Sequence, residues 1–483
     1  MEMKTKAKTE KKILIIAIVL FVISALFLAA TFLMRNAESD NSDESSDSGT
    51  YSFDSDGNLE TSEKEENNSS KKEDSLTYSL DSDGLLTVSG EGKMKDYAYD
   101  SQAPWYNIRE EIKKVVIANG ITSIGDYAFY DCSSLTSIEI PNSVTSIGNF
   151  ALVGCSSLTS VEISDSVTSI GVYAFRGCSS LISIEIPISV TSIGAAAFSC
   201  CDNLMKIVVS KDNPNYSSDE DGVLFNKEKT ELIAYHGGLT GTLYVIPDSV
   251  MNIGESAFDG CSNLIRIEIP DSVTSIGNEA FWSCRGLTSI EIPSSVTSIG
   301  YAVFSYCDNL TKIVVSEDNP NYSVDEYGVL FNKEKTELIA YPGGLTGTSY
   351  VIPGSVMNIG ESAFSGCGNL TRIEIPDSVT SIGDFAFSSC RNLTRIRIPD
   401  SVTRIAPYAF RGCSSLTSIE MSNSITKIEK NTFDECVSLE DVYFHGSADE
   451  WDRISIGDGN EFLKYATVHF IYDDFGNVSD KAD

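Results

Sequence analysis

Eleven cysteines in this chain stand in register. Cys132, Cys155, Cys178 and Cys201 are each 23 residues apart, as are Cys261, Cys284 and Cys307, and again Cys367, Cys390, Cys413 and Cys436. The two breaks, Cys201 to Cys261 and Cys307 to Cys367, span 60 residues each. Two periods of 23 and one of 60 give a larger period of 106, so that 308–366 nearly copies 202–260. A fixed period in the range of about 20–50 residues marks a solenoid, because one such unit cannot bury its apolar face without its neighbours. At 483 residues the chain is long for one compact domain and ordinary for a repeat array.

The unit at 132–154, CSSLTSIEIPNSVTSIGNFALVG, shows how one coil works. Leu135, Ile138 and Ile140 alternate as the inward residues of a short strand. Pro141 ends that strand, since it has no N–H to give to a ladder. Val144 and Ile147 are the inward residues of a second extended piece, Gly148 turns the chain, and Ala151-Leu152 packs a short helical turn on the core. In most other units that pair is Ala-Phe, as at Ala128-Phe129 and Ala174-Phe175. Eleven units plus the extra coil of each 60-residue segment make a dozen or so coils, a stack roughly 60 Å long at about 4.8 Å per strand.

The unit Leu-x-x-Ile-x-Ile-Pro-x-Ser-Val-Thr-x-Ile-Gly-x-x-Ala-Phe-x-x-Cys resembles the BspA-type leucine-rich repeat, over about residues 76–472. The resemblance implies a leucine-rich-repeat solenoid of short parallel β-strands joined by short helical or irregular turns. It implies a surface protein that contacts an extracellular protein or glycan, and no catalytic residues. A repeat scaffold hosts many partners, so the resemblance speaks for the fold more than for the ligand.

The array is expected at 113–440, with the long repeats at 202–260 and 308–366. Residues 76–112 read as an entry cap: LTYSLDSDGLLTVSGEG has two alternating runs about Asp83-Gly84, and Trp105, Tyr106 and Ile108 follow to cover the first coil. Residues 441–473, with Phe444, Trp451, Phe462 and Tyr465, read as an exit cap, and 474–483 as a tail. The N-terminal end is a different material. Five lysines fall within 1–12, and 13–34 are free of charge. Twenty-two helical residues span roughly 33 Å, enough for a bilayer core of about 30 Å. The expectation is a single-pass signal anchor with lysines inside and the solenoid extracytoplasmic; cleavage near Ala29-Ala30 would instead secrete the chain. Residues 35–75 form an acidic Ser/Asp/Glu-rich linker expected to be disordered, in which YSFDSDGNL at 51–59 echoes YSLDSDGLL at 78–86.

With 35 basic and 69 acidic residues the net charge is −34, which repels nucleic acid. Twelve cysteines outside a membrane ordinarily imply disulfides. Eleven at one repeat position instead form a parallel column whose side chains do not converge, a buried thiol ladder. Cys200 is out of register and has no assigned role. The three histidines, His236, His445 and His469, are far apart, no Cys-x-x-Cys occurs, and His236 is Pro342 in the duplicate. No catalytic, cofactor or metal residues are assigned. The candidate binding face is the outward strand column between the two inward residues: Glu139, Glu162, Glu185, Glu268, Glu291, Glu374 and Glu420, interrupted by Val208, Val314, Arg397 and Tyr443. Lys206, Arg266, Lys312, Arg372 and Arg395 stand one outward column over. The bland reading of this column is a solvated face that keeps the sheet soluble; the functional one is a strip for a basic or glycan partner. The candidate binding loops are the DNPNYS segments, with Asn215, Tyr216, Asn321 and Tyr322, which read equally as turns.

Overall fold

The computed structural model describes residues 76–99 and 101–471, together with the strands Ser52–Phe53 and Leu59–Glu60. The expected anchor at 13–34, the segment 1–12, most of the 35–75 linker and the 474–483 tail lie outside the described residues. Within the linker, Ser52–Phe53 pairs antiparallel with Leu59–Glu60. No helix among the described residues is long and apolar enough to cross a membrane.

Each coil has three walls. Leu135, Ile138, Val144, Ile147, Ala151 and Leu152 of the 132–154 unit are all buried, which places every inward residue of the sequence pattern but Ile140 in one core. The first wall is the strand Ser137–Glu139, which pairs in parallel with Ser160–Val161 one period later. The second is Ser146–Ile147, paired with Ser169–Ile170. The third wall is not helical. Two residues per coil take positive φ, Tyr127 at 54° and Asp131 at 57° in the first repeat. With left-handed residues four apart, every second N–H of this stretch points along the stack. Tyr127, Phe129 and Asp131 therefore donate to the carbonyls of Asn149, Ala151 and Val153 in the next coil, at 3.0, 2.8 and 2.7 Å. A helix would have closed these bonds within its own turn and left the coils unjoined on this side.

The left-handed slot before each repeat cysteine explains Cys200. Glycine fills it at Gly154, Gly177 and Gly260, where φ is 72° to 77°; Cys200, at φ 53°, is the occupant of the same slot in its own coil. The repeat cysteines themselves line the core, and all twelve thiols are buried and free. Beyond the first, Cys132, the repeat cysteines join each coil to the one before: Cys155, Cys284 and Cys390 donate from Sγ to the carbonyls of Phe129, Phe258 and Phe364 at 3.2, 3.1 and 3.2 Å. Beside the thiols runs an aromatic column, with Phe258, Phe281 and Phe304 stacked at 5.2 and 5.6 Å and Phe364, Phe387, Phe410 and Phe433 continuing it.

The first wall has 16 rungs, from Leu85–Ser89 to Thr467–Phe470. That is more than the dozen or so expected, because both caps contribute rungs and each 60-residue segment supplies two. At about 4.8 Å per step the stack is roughly 70 Å long. Each long segment also folds a meander: Tyr216–Ser218 pairs antiparallel with Leu224–Asn226, which pairs antiparallel with Glu231–Ala234. The middle strand is a partition. Leu224 packs into the upstream core, while Val223 and Phe225 pack into the downstream one. Leu330 and the pair Val329 and Phe331 repeat this in the second long segment. Strand alternation thus divides the interior into three stacked cores.

At the entry, Thr77–Leu80 and Leu85–Ser89 form the hairpin. Gly84 sits at φ 83°, with a Cβ there only 2.6 Å from the Glu111 carbonyl. Trp105 is buried, stacks on Phe129 at 5.7 Å and donates its indole N–H to the Ala128 carbonyl at 2.7 Å. At the exit Trp451 meets Phe444 edge-on at 5.3 Å, whereas Tyr465 is 83% exposed and covers nothing.

Burial pushes these thiols up, Cys132 to about 12 and Cys155 well above its ordinary value, so they stay protonated and unreactive. The folded chain should therefore resist iodoacetamide at pH 8 and take up twelve labels in denaturant. Intact-mass spectrometry checks this, and rapid labelling of the native chain would refute the buried column.

Candidate functional site

Three places on this scaffold carry chemistry beyond packing. The first is the outward face of the first wall. Pairing puts the predicted column in one register: Glu185 opposite Val208, Glu291 opposite Val314, and Arg397 opposite Glu420, itself opposite Tyr443. Glu139, Glu162, Glu185, Val208, Glu291, Glu374 and Arg397 are exposed; Glu268, Val314, Glu420 and Tyr443 are half-buried. Like charges set side by side on a sheet repel, and the interruptions relieve this. Arg266 pairs with Glu268 at 3.2 Å and Arg372 with Glu374 at 3.0 Å. Arg397 reaches Asp377 at 3.1 Å and both Asp400 and Glu420 at 3.6 Å. Arg395 is exposed and has no ion pair among the described residues. Between rungs this face opens into a groove of about 480 Å³, lined by Arg266, Glu268, Asp271, Glu291 and Lys312.

Two histidines that sequence spacing set apart belong to this face. His445 Nε2 lies 2.9 Å from Glu420, and His469 lies 2.7 Å from Asp441 and stacks on Tyr443 at 5.0 Å. The signal was present in the alternation of Asp441, Tyr443 and His445 along one strand.

The second place is the pair of insertions. Asn213, fully buried, donates to the carbonyls of Pro187 and Val190 at 2.8 and 2.9 Å and accepts from the N–H groups of Asn215 and Tyr216 at 2.9 Å. Asn215 donates to the Thr191 carbonyl at 3.0 Å, and the Tyr216 hydroxyl accepts from Ile193 N–H at 2.8 Å. Asn319, Asn321 and Tyr322 repeat the arrangement. The predicted loop residues thus replace ladder bonds where the second wall is interrupted. A cleft of about 530 Å³ opens beside Tyr322.

The third place is a buried ionic cluster on the turn side, invisible in sequence because its contacts join residues as many as 106 apart. Arg176 faces Asp259 at 3.6 Å, both nearly inaccessible, and lies about 5 Å from the rings of Tyr173 and Trp282. Burial alone would lower the Arg176 pKa, but the Asp259 carboxylate raises it, and the guanidinium stays charged. Cys200 Sγ is 3.8 Å from Asp259. Tyr173 donates to Glu279 at 3.2 Å and Ser256 lies 3.5 Å from the same oxygen. Among the described residues no three His, Cys, Asp or Glu side chains are grouped to hold a metal ion.

A family model described as the BspA type leucine rich repeat region matches six copies, over residues 103–219, 240–346 and 340–455. The chain belongs to this family. Among solved structures, a leucine-rich repeat protein from Eubacterium ventriosum is similar, at 31% identity over 70% of this chain and 92% of that one, with a TM-score of 0.50. A leucine rich cell surface protein from Faecalibacterium prausnitzii matches at 26% identity over 85% and 99% of the two chains, with a TM-score of 0.38. The pneumococcal vaccine antigen PcpA matches at 17% identity over 87% and 98%, with a TM-score of 0.34. No curated protein matches the chain. The BspA-type repeat pattern accounts for the core columns, and the three places above lie outside those columns.

In the buried cluster Glu279 is raised from 4.5 to about 7, first by burial and then by the Asp259 charge. Folding therefore favours its protonated form. That contribution is complete below pH 4.5 and is lost as pH rises through 7, a difference of about 3 kcal/mol. Glu279→Gln should remove this pH dependence and raise stability above pH 7, measured as urea midpoints from pH 5 to 8.5; an unchanged profile would refute the assignment.

Proposed function

We propose that this chain is a non-enzymatic cell-surface binding protein that presents the outward face of its first wall to an extracellular protein or glycan, held at the membrane through residues 13–34. The observation that carries this reading is the groove of about 480 Å³ on that face, where charged side chains of both signs converge on a surface the core does not need. Repeat scaffolds bind through such extended surfaces, and the wall's rigidity fixes where each charge stands. The cell-surface description of the Faecalibacterium relative agrees with it. Net charge of −34 leaves nucleic acid out as a partner.

Arg395, which has no ion pair among the described residues, stands on this face with Arg372 and Arg397, each of which is held by carboxylates beside it. A screen of the full chain against matrix proteins, mucin, basic proteins and glycans at physiological salt tests the reading. We expect a saturable ligand whose affinity falls at least tenfold, on the order of 1.4 kcal/mol or more, when Arg266 and Lys312 of the groove, or Arg372, Arg395 and Arg397 further along the same face, are changed to Ser. Absence of any saturable ligand would leave the array as an envelope spacer.

A further inference from the structure

The cleft beside the second insertion has a one-sided charge. Glu334, Glu337 and Glu361 line it together with Tyr301, Tyr322 and Asn332, and none of its lining side chains is cationic. The two lysines of the insertion, Lys333 and Lys335, are held by the Asn319 and Val324 carbonyls at 2.6 and 3.1 Å. Glu337 accepts from Asn358 at 3.1 Å, and Asn332 is fixed by its bonds to Thr336 and Glu337 N–H, so the wall is held in place before any ligand arrives. Three carboxylates about one opening repel one another, and a bound cation would relieve them.

The size and spacing say which cation. The carboxylates are not grouped closely enough to hold a metal ion. The volume of about 530 Å³ is far more than a bare ion fills and is on the scale of sites for organic ligands. Tyrosine rings attract ammonium and guanidinium groups through their negative faces. The first insertion provides an internal comparison. Tyr216, Asn226, Glu228, Glu231 and Glu255 stand where the second has Tyr322, Asn332, Glu334, Glu337 and Glu361. Tyr301 alone is not matched: Ala195 stands there.

We propose that this cleft binds the ammonium or guanidinium group of a lysine- or arginine-bearing peptide segment of a partner protein, with Tyr301 completing a site that the first insertion leaves unfinished. It is a second site, independent of the strand-face arginines.

The experiment is calorimetric titration of the full chain at 150 mM salt with a capped tri-lysine peptide, its Nε-acetylated form and a glucosamine trimer. So acidic a protein attracts any polycation, and the two principal variants, Tyr301→Ala and Ala195→Tyr, therefore change no charge. Tyr301→Ala should weaken the lysine peptide about five- to tenfold with an unaltered melting curve, since alanine is native at the matching position. Ala195→Tyr should raise the stoichiometry from one to two. Glu334→Gln, at an exposed position, should weaken binding by a similar factor and serves if Tyr301→Ala fails to fold. Equal binding of the acetylated peptide, or an affinity untouched by both Tyr301→Ala and Glu334→Gln, overturns the site. Tyr301-dependent binding of the glucosamine trimer in place of the peptide overturns the peptide as partner. Loss of binding on changing Arg372, Arg395 and Arg397 bears on the strand face alone.

Discussion

The hydrogen bonds that run from one coil to the next hold this molecule in register. Within a run of 23-residue coils the advance sets strand beside strand, left-handed turn residues under carbonyls of the next coil, and thiols under the carbonyls 26 residues behind them. These bonds are unavailable to a single coil, and the apolar columns they bring together are too thin to bury themselves. Local structure and burial are therefore won in the same step, coil by coil, as in any quasi-one-dimensional array. An insertion of one or two residues within a coil would shift all three walls at once, which is why the length variation is confined to two places where a complete strand meander fits.

That coupling also explains why so much of the interior was legible. Positions such as Leu135, Ile138, Val144 and Cys155 recur because each must occupy the same point in a fixed cross-section, and a periodic constraint leaves a periodic trace. The third wall was read as helical because Ala-Phe pairs bounded by glycine look like a short helix. The slot before the cysteine carries Asp, Ser, Tyr and Glu as often as Gly, and this hides its handedness. The partition strands escaped notice for a different reason. In Val223-Leu224-Phe225 every residue is apolar, so the run looks like ordinary buried strand, and only its place between two cores shows that both faces are covered.

The sites were legible in proportion to their dependence on the period. The outward column was found because it alternates with the core. What sequence could not show was that Asn215 and Tyr216 serve as substitutes for ladder bonds, or that His469 joins the column's end beside Asp441 and Tyr443, since both depend on which strands become neighbours. Comparison of the two 106-residue units sharpens the point. Leu287, Ile290, Leu310 and Ile313 recur as Leu393, Ile396, Leu416 and Ile419, while the outward Ser289, Glu291, Lys312 and Val314 have become Arg395, Arg397, Ser418 and Glu420. Packing fixes the first set. The second set, of which Ser418 alone among the replacements is buried, is less constrained by packing, so the chemistry of the face can change from one end to the other without disturbing the fold.

The two junctions beside the long segments extend this argument to the buried side. Both solve one geometric problem, bringing turns from either side of an insertion into contact. At the first, Arg176, Asp259 and Glu279 meet in an ionic cluster; at the second, Trp282, Ser365 and Phe385 stand at the corresponding positions. There the contact is made by neutral groups, with Tyr306 N–H donating to the Ser365 carbonyl at 3.3 Å and the Tyr306 hydroxyl 3.1 Å from Ser389. The neutral junction shows that closing the turns does not require buried charge. Desolvating an ion pair and a second carboxyl costs more than their mutual attraction reliably returns. The ionic junction is therefore not the more economical way to join these coils, and what it adds is a sensitivity to protonation that its neutral counterpart lacks.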